Sequence, residues 1–232
     1  MERKLSLMNS HPPGSDPKPL SARERLKDFW NARYAAEGYS YGTAPNEFLV
    51  QCLPRLQSLP RGGAVLCLAD GEGRNGVWLA GQGFAVTSVD LADEGLRKAR
   101  ALAQEQGVAL QTMQADLTAF DLGQERWDAI VSIFLHLPPR ARRALHARSI
   151  DALRPGGLFV FEAYSPEQLA FGTGGPKEIE LLPTLADVEG DFATCEGATI
   201  EHRFSGVRRV VEGPLHSGDG HVVQLVVRKG GS

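Results

Sequence analysis

The stretch AVLCLADGEGRNGVWLA, residues 64–80, sets Gly71, Gly73 and Gly76 in the spacing G-x-G-x-x-G. Glycine allows positive φ and lets a backbone approach a ligand closely. A helix that starts directly after such a turn offers unpaired N–H groups to an anion or a carboxylate. Asp90 closes the next apolar run, about twenty residues past the loop, where an acid can accept both hydroxyls of a ribose. The glycine spacing alone is a weak signal. A strand, a glycine turn, a helix, a second strand and an acid, in that order, point to a bound nucleotide or nucleoside rather than to a bare tight turn.

Further along, Asp116 in QADL ends the third apolar run, with Leu117 beside it. A carboxylate there can receive an adenine amino group or simply face water. Phe134, His136 and Leu137 follow the fourth run. Open α/β sheets bind ligands beyond the carboxyl ends of their strands, so these residues should border a reacting group. His136 is then either a proton acceptor or a structural imidazole. Trp30, Tyr34, Tyr39 and Tyr41 crowd the N-terminal part. Aromatic faces attract cations; the plain alternative makes Trp30 and Tyr34 core anchors. Lys177, in the glycine-rich FGTGGPKEIELLPTL, can attract an anion, while His216 and His221 read as exposed beside a turn. Arg140, Arg142, Arg143 and Arg148 read as a solvated helix face rather than an RNA surface. A nicotinamide enzyme of this length should carry Tyr-x-x-x-Lys, and none of Tyr34, Tyr39, Tyr41 or Tyr164 has lysine four residues on.

These side chains need a scaffold, and the pattern supplies one. Residues 64–69 are nearly all apolar, as in a parallel strand buried on both faces. A helix is expected over about 73–81, a strand over 84–90, a helix over 94–107 and strands over 109–116 and 127–134. A helix over 138–153, opened by proline, leads to a strand over 158–164. Alternating β and α elements imply a parallel sheet with helices on both faces. Two β-rich runs, 199–213 and 221–230, flank PLHSGDG, whose Gly218-Asp219-Gly220 reads as the turn of an antiparallel hairpin. Ser21 and Glu24 form a capping-box pattern. It opens a helix with Leu26, Phe29, Trp30, Arg33 and Tyr34 on one face. A second short helix is expected over 47–56, and residues 1–20, rich in Pro, Ser and Gly, read as a mobile tail.

The 232 residues suffice for one sizeable core. A net charge of −3 argues against a dedicated nucleic-acid binder, and no apolar run is long enough for a membrane span. Cys52, Cys67 and Cys195 have neither disulfide-framework nor zinc spacing; they fit a reducing cytoplasm and no metal site. The expected division is a tail, 1–20, and a single domain, 21–232. Within that domain, 21–60 is a helical lid segment, 64–163 the cofactor-binding core, and 164–232 a substrate-side loop and terminal hairpin.

VLCLADGEGRNGVWLA, VTSVD, QADL, WDAIVSIFLHL and LRPGGLFVFEAY together resemble class I S-adenosylmethionine-dependent methyltransferases. FWNARYAAEGYSYGTAPNEFL is similar to the opening segment of their tellurite-resistance and thiopurine methyltransferase branch. The resemblance implies a Rossmann-like, doubly wound, seven-stranded α/β sheet, mostly parallel with an antiparallel last strand. It implies S-adenosyl-L-methionine as cofactor and S-adenosyl-L-homocysteine as product. The implied cofactor site comprises Trp30, Tyr41, Asn46, Ala69, Gly71, Gly73, Asn75, Asp90, Leu91, Asp116, Leu117 and Phe134, with His136 beside the methyl. One position departs from the family: an acid usual in the middle of the first strand is Cys67 here. Asp70, three residues on, falls on the opposite face by strand alternation. The expected acceptor is a small soft nucleophile, a thiol or a chalcogen oxyanion, bound by a monomer or homodimer without nucleic acid or membrane. RNA or protein methylation, and cofactor binding without catalysis, stand as alternatives; nicotinamide chemistry ranks last.

Overall fold

A computed structural model describes residues 20–231 of the chain. The tail expected over 1–20 lies, but for Leu20, outside the described residues. The N-terminal helices are α1 (Ala22–Tyr34), α2 (Glu47–Gln51) and α3 (Leu53–Leu56). Alternation then begins with β1 (Ala64–Leu68), α4 (Arg74–Gly81), β2 (Ala85–Asp90), α5 (Asp93–Glu105) and β3 (Gln111–Gln114). It continues with β4 (Trp127–Ile133), α6 (Pro139–Ala152) and β5 (Leu153–Tyr164). Two 3₁₀ turns, α7 (Leu185–Phe192), β6 (Ala198–Val211) and β7 (Ser217–Lys229) complete the chain.

The strands form one seven-stranded sheet in the order β3-β2-β1-β4-β5-β7-β6. β1 to β5 pair in parallel, and β7 runs antiparallel between β5 and β6. The expected α/β architecture is therefore present. Strand alternation sends Leu66, Leu68, Ile130 and Phe159 to one face, against Leu145 and Ile150 of α6 and Val188 and Phe192 of α7. Val65, Cys67, Val131 and Val160 meet Phe48, Leu49, Leu56 and Leu79 from α2, α3 and α4 on the other. Each such side chain, fully buried, contributes about 1.5–3 kcal/mol relative to exposure. The strand order reverses between β1 and β4, which opens a crevice at their carboxyl ends.

Local chemistry decides several ends. Ser21 Oγ accepts the Glu24 N–H at 3.2 Å and Glu24 Oε2 accepts the Ser21 N–H at 2.7 Å, closing the expected capping box. The apolar stripe of α1 is only partly used: Tyr34 is buried, whereas Leu26 and Phe29 are about half exposed. The hairpin turn falls at 212–216, not at Gly218–Gly220, which belong to β7. Gly213 supplies the left-handed residue, φ +80°, and a Cβ there would collide with the backbone of Tyr41 and Gly42. Helix α7 lies in the stretch expected as a substrate-side loop; Thr184 and Asp187 form a capping box that marks its start. The basic face of α6 is not uniformly solvated. Arg142 is buried and donates to Asp191 of α7 at 2.7 Å, and His146 Nδ1 lies 2.9 Å from the same carboxylate. Arg148 donates to the Leu117 and Phe120 carbonyls. Placing every arginine outward fails where a buried carboxylate or free carbonyls receive the guanidinium.

Candidate active site

At the crevice, two non-glycine residues on adjacent strands adopt left-handed backbone: Ala69 after β1, φ 50°, and Phe134 after β4, φ 54°. Such conformations cost about 1–3 kcal/mol each and concentrate at functional sites. Between Ala69 and α4 runs the glycine turn. Gly71 and Gly73 have φ of +55° and +87°. A Cβ on Gly71 would lie 2.7 Å from the Tyr34 hydroxyl, and one on Gly73 2.5 Å from Ala99 Cβ. The turn is thus squeezed between α1 and α5, so packing as well as ligand approach demands glycine here. Asp70 accepts from Ser88 Oγ and from the Gly76 N–H at 3.2 Å. It does the capping that Gly73, with no side chain, leaves undone for α4. Burial pushes the Asp70 carboxyl up to about 7, against the opposing hydrogen bonds of Ser88 and Gly76. Cys67 is sealed inside β1, and burial drives its thiol well above its usual range.

Asp90 ends β2 and is 5% exposed. Its Oδ2 accepts the Gly71 N–H at 2.8 Å and its Oδ1 the Ala92 N–H at 2.8 Å. Each oxygen keeps a lone pair, which suits two vicinal hydroxyls. Burial raises this carboxyl; the hydrogen bonds from Ala92, Gly71 and Leu91 oppose the rise. Leu91 is half-buried, and its carbonyl accepts from Gln114. Asp116 has its Oδ1 held by Thr118 and its Oδ2 3.2 Å from Arg23 Nε, while Leu117 packs into the core.

Helix α1 lies across the ends of β2 and β3. Arg23 meets Asp116, Lys27 meets Asp93, and Asn31 Oδ1 accepts the Glu94 N–H. Trp30 is half-buried and stacks on Tyr34 with centroids 5.6 Å apart. Tyr41 accepts from Arg33 at 2.9 Å, and its N–H donates to Glu72. Glu72 is otherwise engaged by Lys98, which also donates to the Ala36 and Gly38 carbonyls; the Tyr39 hydroxyl reaches the Lys98 carbonyl. Asn46, expected at the cofactor, is corrected to an interior hub. It is fully buried, its amide donates to Glu162 at 2.6 Å and Glu212 at 2.9 Å, and its Oδ1 caps α2. Asn75 is likewise turned inward and accepts the Asn46 N–H.

Behind that hub lies a buried charge network that sequence reading did not find. Arg208 pairs with Glu162 and Glu212, and Arg74 pairs with Glu212. Glu162 also accepts from Gln224. Burial raises the Glu162 carboxyl; Glu212 is held low despite burial, by Arg74 and Arg208. Apart from Arg208 and Glu212, four positions apart, no spacing links these residues, which come from β5, β6, β7, the start of α4 and the hairpin turn.

Beyond β4, the Phe134 ring stacks on Tyr164 at 4.5 Å and meets His216 edge-on at 4.9 Å. His216, expected to be exposed, is buried between Tyr41 and Phe134, because the 212–216 turn folds inward over the site. His221 is partly buried, with Nδ1 2.6 Å from Ser165 Oγ. Lys177 is exposed. His136 Nδ1 lies 3.1 Å from the Leu181 carbonyl. A carbonyl only accepts, so Nδ1 carries the hydrogen and Nε2 keeps its lone pair. Burial pushes this imidazole down to about 4, against the Leu181 hydrogen bond. A shallow cleft of about 610 Å³ opens at the other end of the sheet, where Arg154 and Asp128 neutralise one another. The parallel strands point their carboxyl ends away from it, so the β1–β4 crevice, not this cleft, is the place for chemistry.

The fold and this crevice define the class I methyltransferases that use S-adenosylmethionine. The model for a methyltransferase domain matches residues 65–157. The thiopurine S-methyltransferase of Azotobacter vinelandii is 32% identical over 169 residues, 65% of this chain and 75% of that protein. The chain belongs to this family, in its thiopurine methyltransferase-like branch. Among solved structures, one from work on the conversion of a disulfide bond into a thioacetal group during echinomycin biosynthesis superposes with a TM-score of 0.70. It is 23% identical and covers 88% of this chain and 92% of its own. Magnesium protoporphyrin IX methyltransferase of Synechocystis PCC 6803, solved with bound SAH, gives a TM-score of 0.64 at 16% identity, covering 90% of this chain and 100% of its own. No described helix is long and apolar enough to cross a membrane.

Proposed function

We propose that this methyltransferase acts on a small, soft acceptor, a thiol or a chalcogen oxyanion, in the cytoplasm. The observation that carries the reading is His136: a tautomer fixed by Leu181, a neutral imidazole, and an Nε2 that is a weak base. A weak base suffices for an acceptor that ionises easily and fails a neutral hydroxyl. Relatives named for S-methylation of thiopurines point the same way.

In this reading Asp90 holds the two ribose hydroxyls of the cofactor, and the 69–73 turn with Asn75 behind it supports the methionine part. Leu91, Leu117 and Asp116 border the adenine, with Asp116 exchanging its exposed Arg23 partner for the amino group, a surface pair of small worth. Trp30 and Tyr41 close over the site. S-adenosylmethionine supplies an already activated methyl group on a cationic sulfur. Phe134 and His136 orient the nucleophile. The acceptor would take the methyl group already ionised, its proton given up to solvent beforehand, so that His136 would not be required as a base, in keeping with the weak basicity of its Nε2. Alignment and exclusion of water are the chain's main contribution.

The test is calorimetric binding of S-adenosylhomocysteine beside NADH, then an acceptor screen with thiols, selenite, tellurite, phenols and a mixed RNA. Binding of S-adenosylhomocysteine alone and methylation of thiols or chalcogen oxyanions are expected. His136→Ala should cost well under the roughly 10²–10⁴-fold of a lost general base. Methylation of phenols or RNA alone, with His136 essential, overturns the reading.

A further inference from the structure

Glu72 stands between the two turn glycines, where a carboxylate would ordinarily face solvent or a ligand. Its side chain is instead 2% exposed and lies 2.9 Å from Nζ of Lys98 in α5, itself 10% exposed. Neither residue type is buried without a partner. All three hydrogens of the Lys98 ammonium are taken: one by Glu72, one by the Ala36 carbonyl at 2.8 Å and one by the Gly38 carbonyl. Ala36 and Gly38 lie just past the end of α1, at the negative pole of its dipole. The Tyr39 ring faces the same cation, 5.6 Å from its centroid.

The pair also grips the glycine turn. Ala99, next to Lys98, is the side chain that a Cβ on Gly73 would strike. Glu72 Oε2, the oxygen turned away from Lys98, accepts the Tyr41 N–H at 3.2 Å. The turn, α5 and residues 36–41 thus meet at one ion pair. Tyr41 sets its ring against His216, with centroids 4.6 Å apart. Elsewhere α1 is tied down by ion pairs open to solvent, Arg23 with Asp116 and Lys27 with Asp93, and such pairs contribute little. An ion pair that only glued two helices together could be replaced by apolar side chains. Lys98 and Glu72 instead hold backbone atoms, the Ala36 and Gly38 carbonyls and the Tyr41 N–H, and so fix where the segment runs.

We propose that Lys98 is a positioning residue for methyl transfer. It acts through Glu72 and through the Ala36 and Gly38 carbonyls, and holds residues 36–41, Tyr41 among them, against the Gly71–Gly73 turn. Glu72 is the coupling group, since its backbone belongs to the turn and its two oxygens serve Lys98 and Tyr41. The cofactor then meets a segment already in place, which lowers the ordering cost of binding. The assignment rests on the reading above in which Trp30 and Tyr41 close over S-adenosylmethionine.

The test replaces the pair together, Glu72→Gln with Lys98→Met, so that no charge is stranded inside. Calorimetric titration of the folded double variant with S-adenosylhomocysteine should show binding weaker by about tenfold or more, the cost of ordering a loosened segment. Hydrogen exchange read by mass spectrometry should rise by about tenfold or more in residues 34–42, while β1 and β2 keep their wild-type protection. A cross-link that merely stabilises the whole fold would raise exchange in the strands as well. Lys27→Met, which removes the pair with Asp93, should leave the affinity within about twofold. In the wild type, added S-adenosylhomocysteine should protect residues 36–41 and 71–74 together; this arm decides the matter if the double variant does not fold. Unchanged affinity in the folded double variant, exchange raised equally in the strands, or protection of either segment alone in the wild type overturns the assignment and leaves the cofactor reading standing. Failure of the wild type to bind S-adenosylhomocysteine overturns that reading and this assignment with it.

Discussion

Replacing Asp90 by alanine separates a binding role from a structural one, because the carboxylate serves both in distinguishable ways. In the folded chain it satisfies two backbone donors, Gly71 N–H and Ala92 N–H, each at 2.8 Å. Stranding a buried donor costs about 1–3 kcal/mol, so two cost roughly 2–4 kcal/mol once water fills part of the gap. At about 2–4 °C per kcal/mol for a chain of this size, Tm should fall by roughly 4–16 °C. The lone pairs left over should hold the ribose hydroxyls. Losing a hydrogen bond to a charged acceptor costs about 1.5–3 kcal/mol, which weakens S-adenosylhomocysteine roughly ten- to 150-fold. The assay is calorimetric titration at a temperature where thermal melting shows the variant folded. Asp121→Ala is the control: its exposed carboxylate serves only the Gly123 N–H of a surface loop outside the proposed site, so the same titration should move by less than about threefold. An unchanged Kd in folded Asp90→Ala, or an equal loss in Asp121→Ala, refutes the ribose assignment.

The pH dependence of stability should carry the mark of Asp70. Its folded pKa is raised to about 7, so the folded state holds a proton that the unfolded state releases earlier. The resulting stability is complete below the unfolded carboxyl value and is lost as pH rises through about 7. Urea unfolding at intervals from about pH 5 to pH 8 should therefore show Asp70→Asn gaining on the wild type as pH rises; parallel curves would discard the shifted carboxyl. Gly73→Ala meets both a left-handed φ and the Ala99 side chain, so a loss of about 2–5 kcal/mol in unfolding free energy is expected. A loss below about 1 kcal/mol would mean that α5 yields readily and the turn is looser than its packing suggests.

The glycine turn and the acid that closes β2 were legible because they are local. Gly71, Gly73 and Asp90 lie close along the chain, in strands whose nearly unbroken apolar runs announce a parallel sheet. The surroundings of Phe134 and His216 were not. Glu162 and Arg208 meet across 46 positions and Asn46 and Glu212 across 166, with no period to link them. His216 looked exposed because a glycine-rich, polar turn usually is. Here Gly213 lets the turn fold onto the Tyr41–Gly42 backbone, and the imidazole goes in with it. Arg142 misled for the opposite reason: its partner Asp191 sits on α7, a helix within the stretch expected as loop. Leu26 and Phe29 matched a helical stripe, yet α1 crosses the strand ends at a corner where only Tyr34 reaches the interior.

One ion pair joins these two regions. Arg74 is the first residue of α4, directly after the cofactor turn, and Glu212 opens the hairpin turn that carries His216. The Glu212 N–H donates to the His216 carbonyl at 2.8 Å, and the Leu215 N–H reaches the Ser40 carbonyl of the N-terminal segment. The Gly71–Gly73 turn, the hairpin turn and the N-terminal segment therefore share one buried electrostatic knot. Breaking such a pair strands a charge away from water at about 3–5 kcal/mol, well above thermal energy. The hairpin turn that carries His216 is accordingly held in register with the Gly71–Gly73 turn. A reaction whose main requirement is alignment calls for that kind of fixed geometry. The network's composition fits the same purpose: two guanidinium groups and two carboxylates give rigidity without leaving a net charge beside the buried Phe134, Tyr164 and His216 rings.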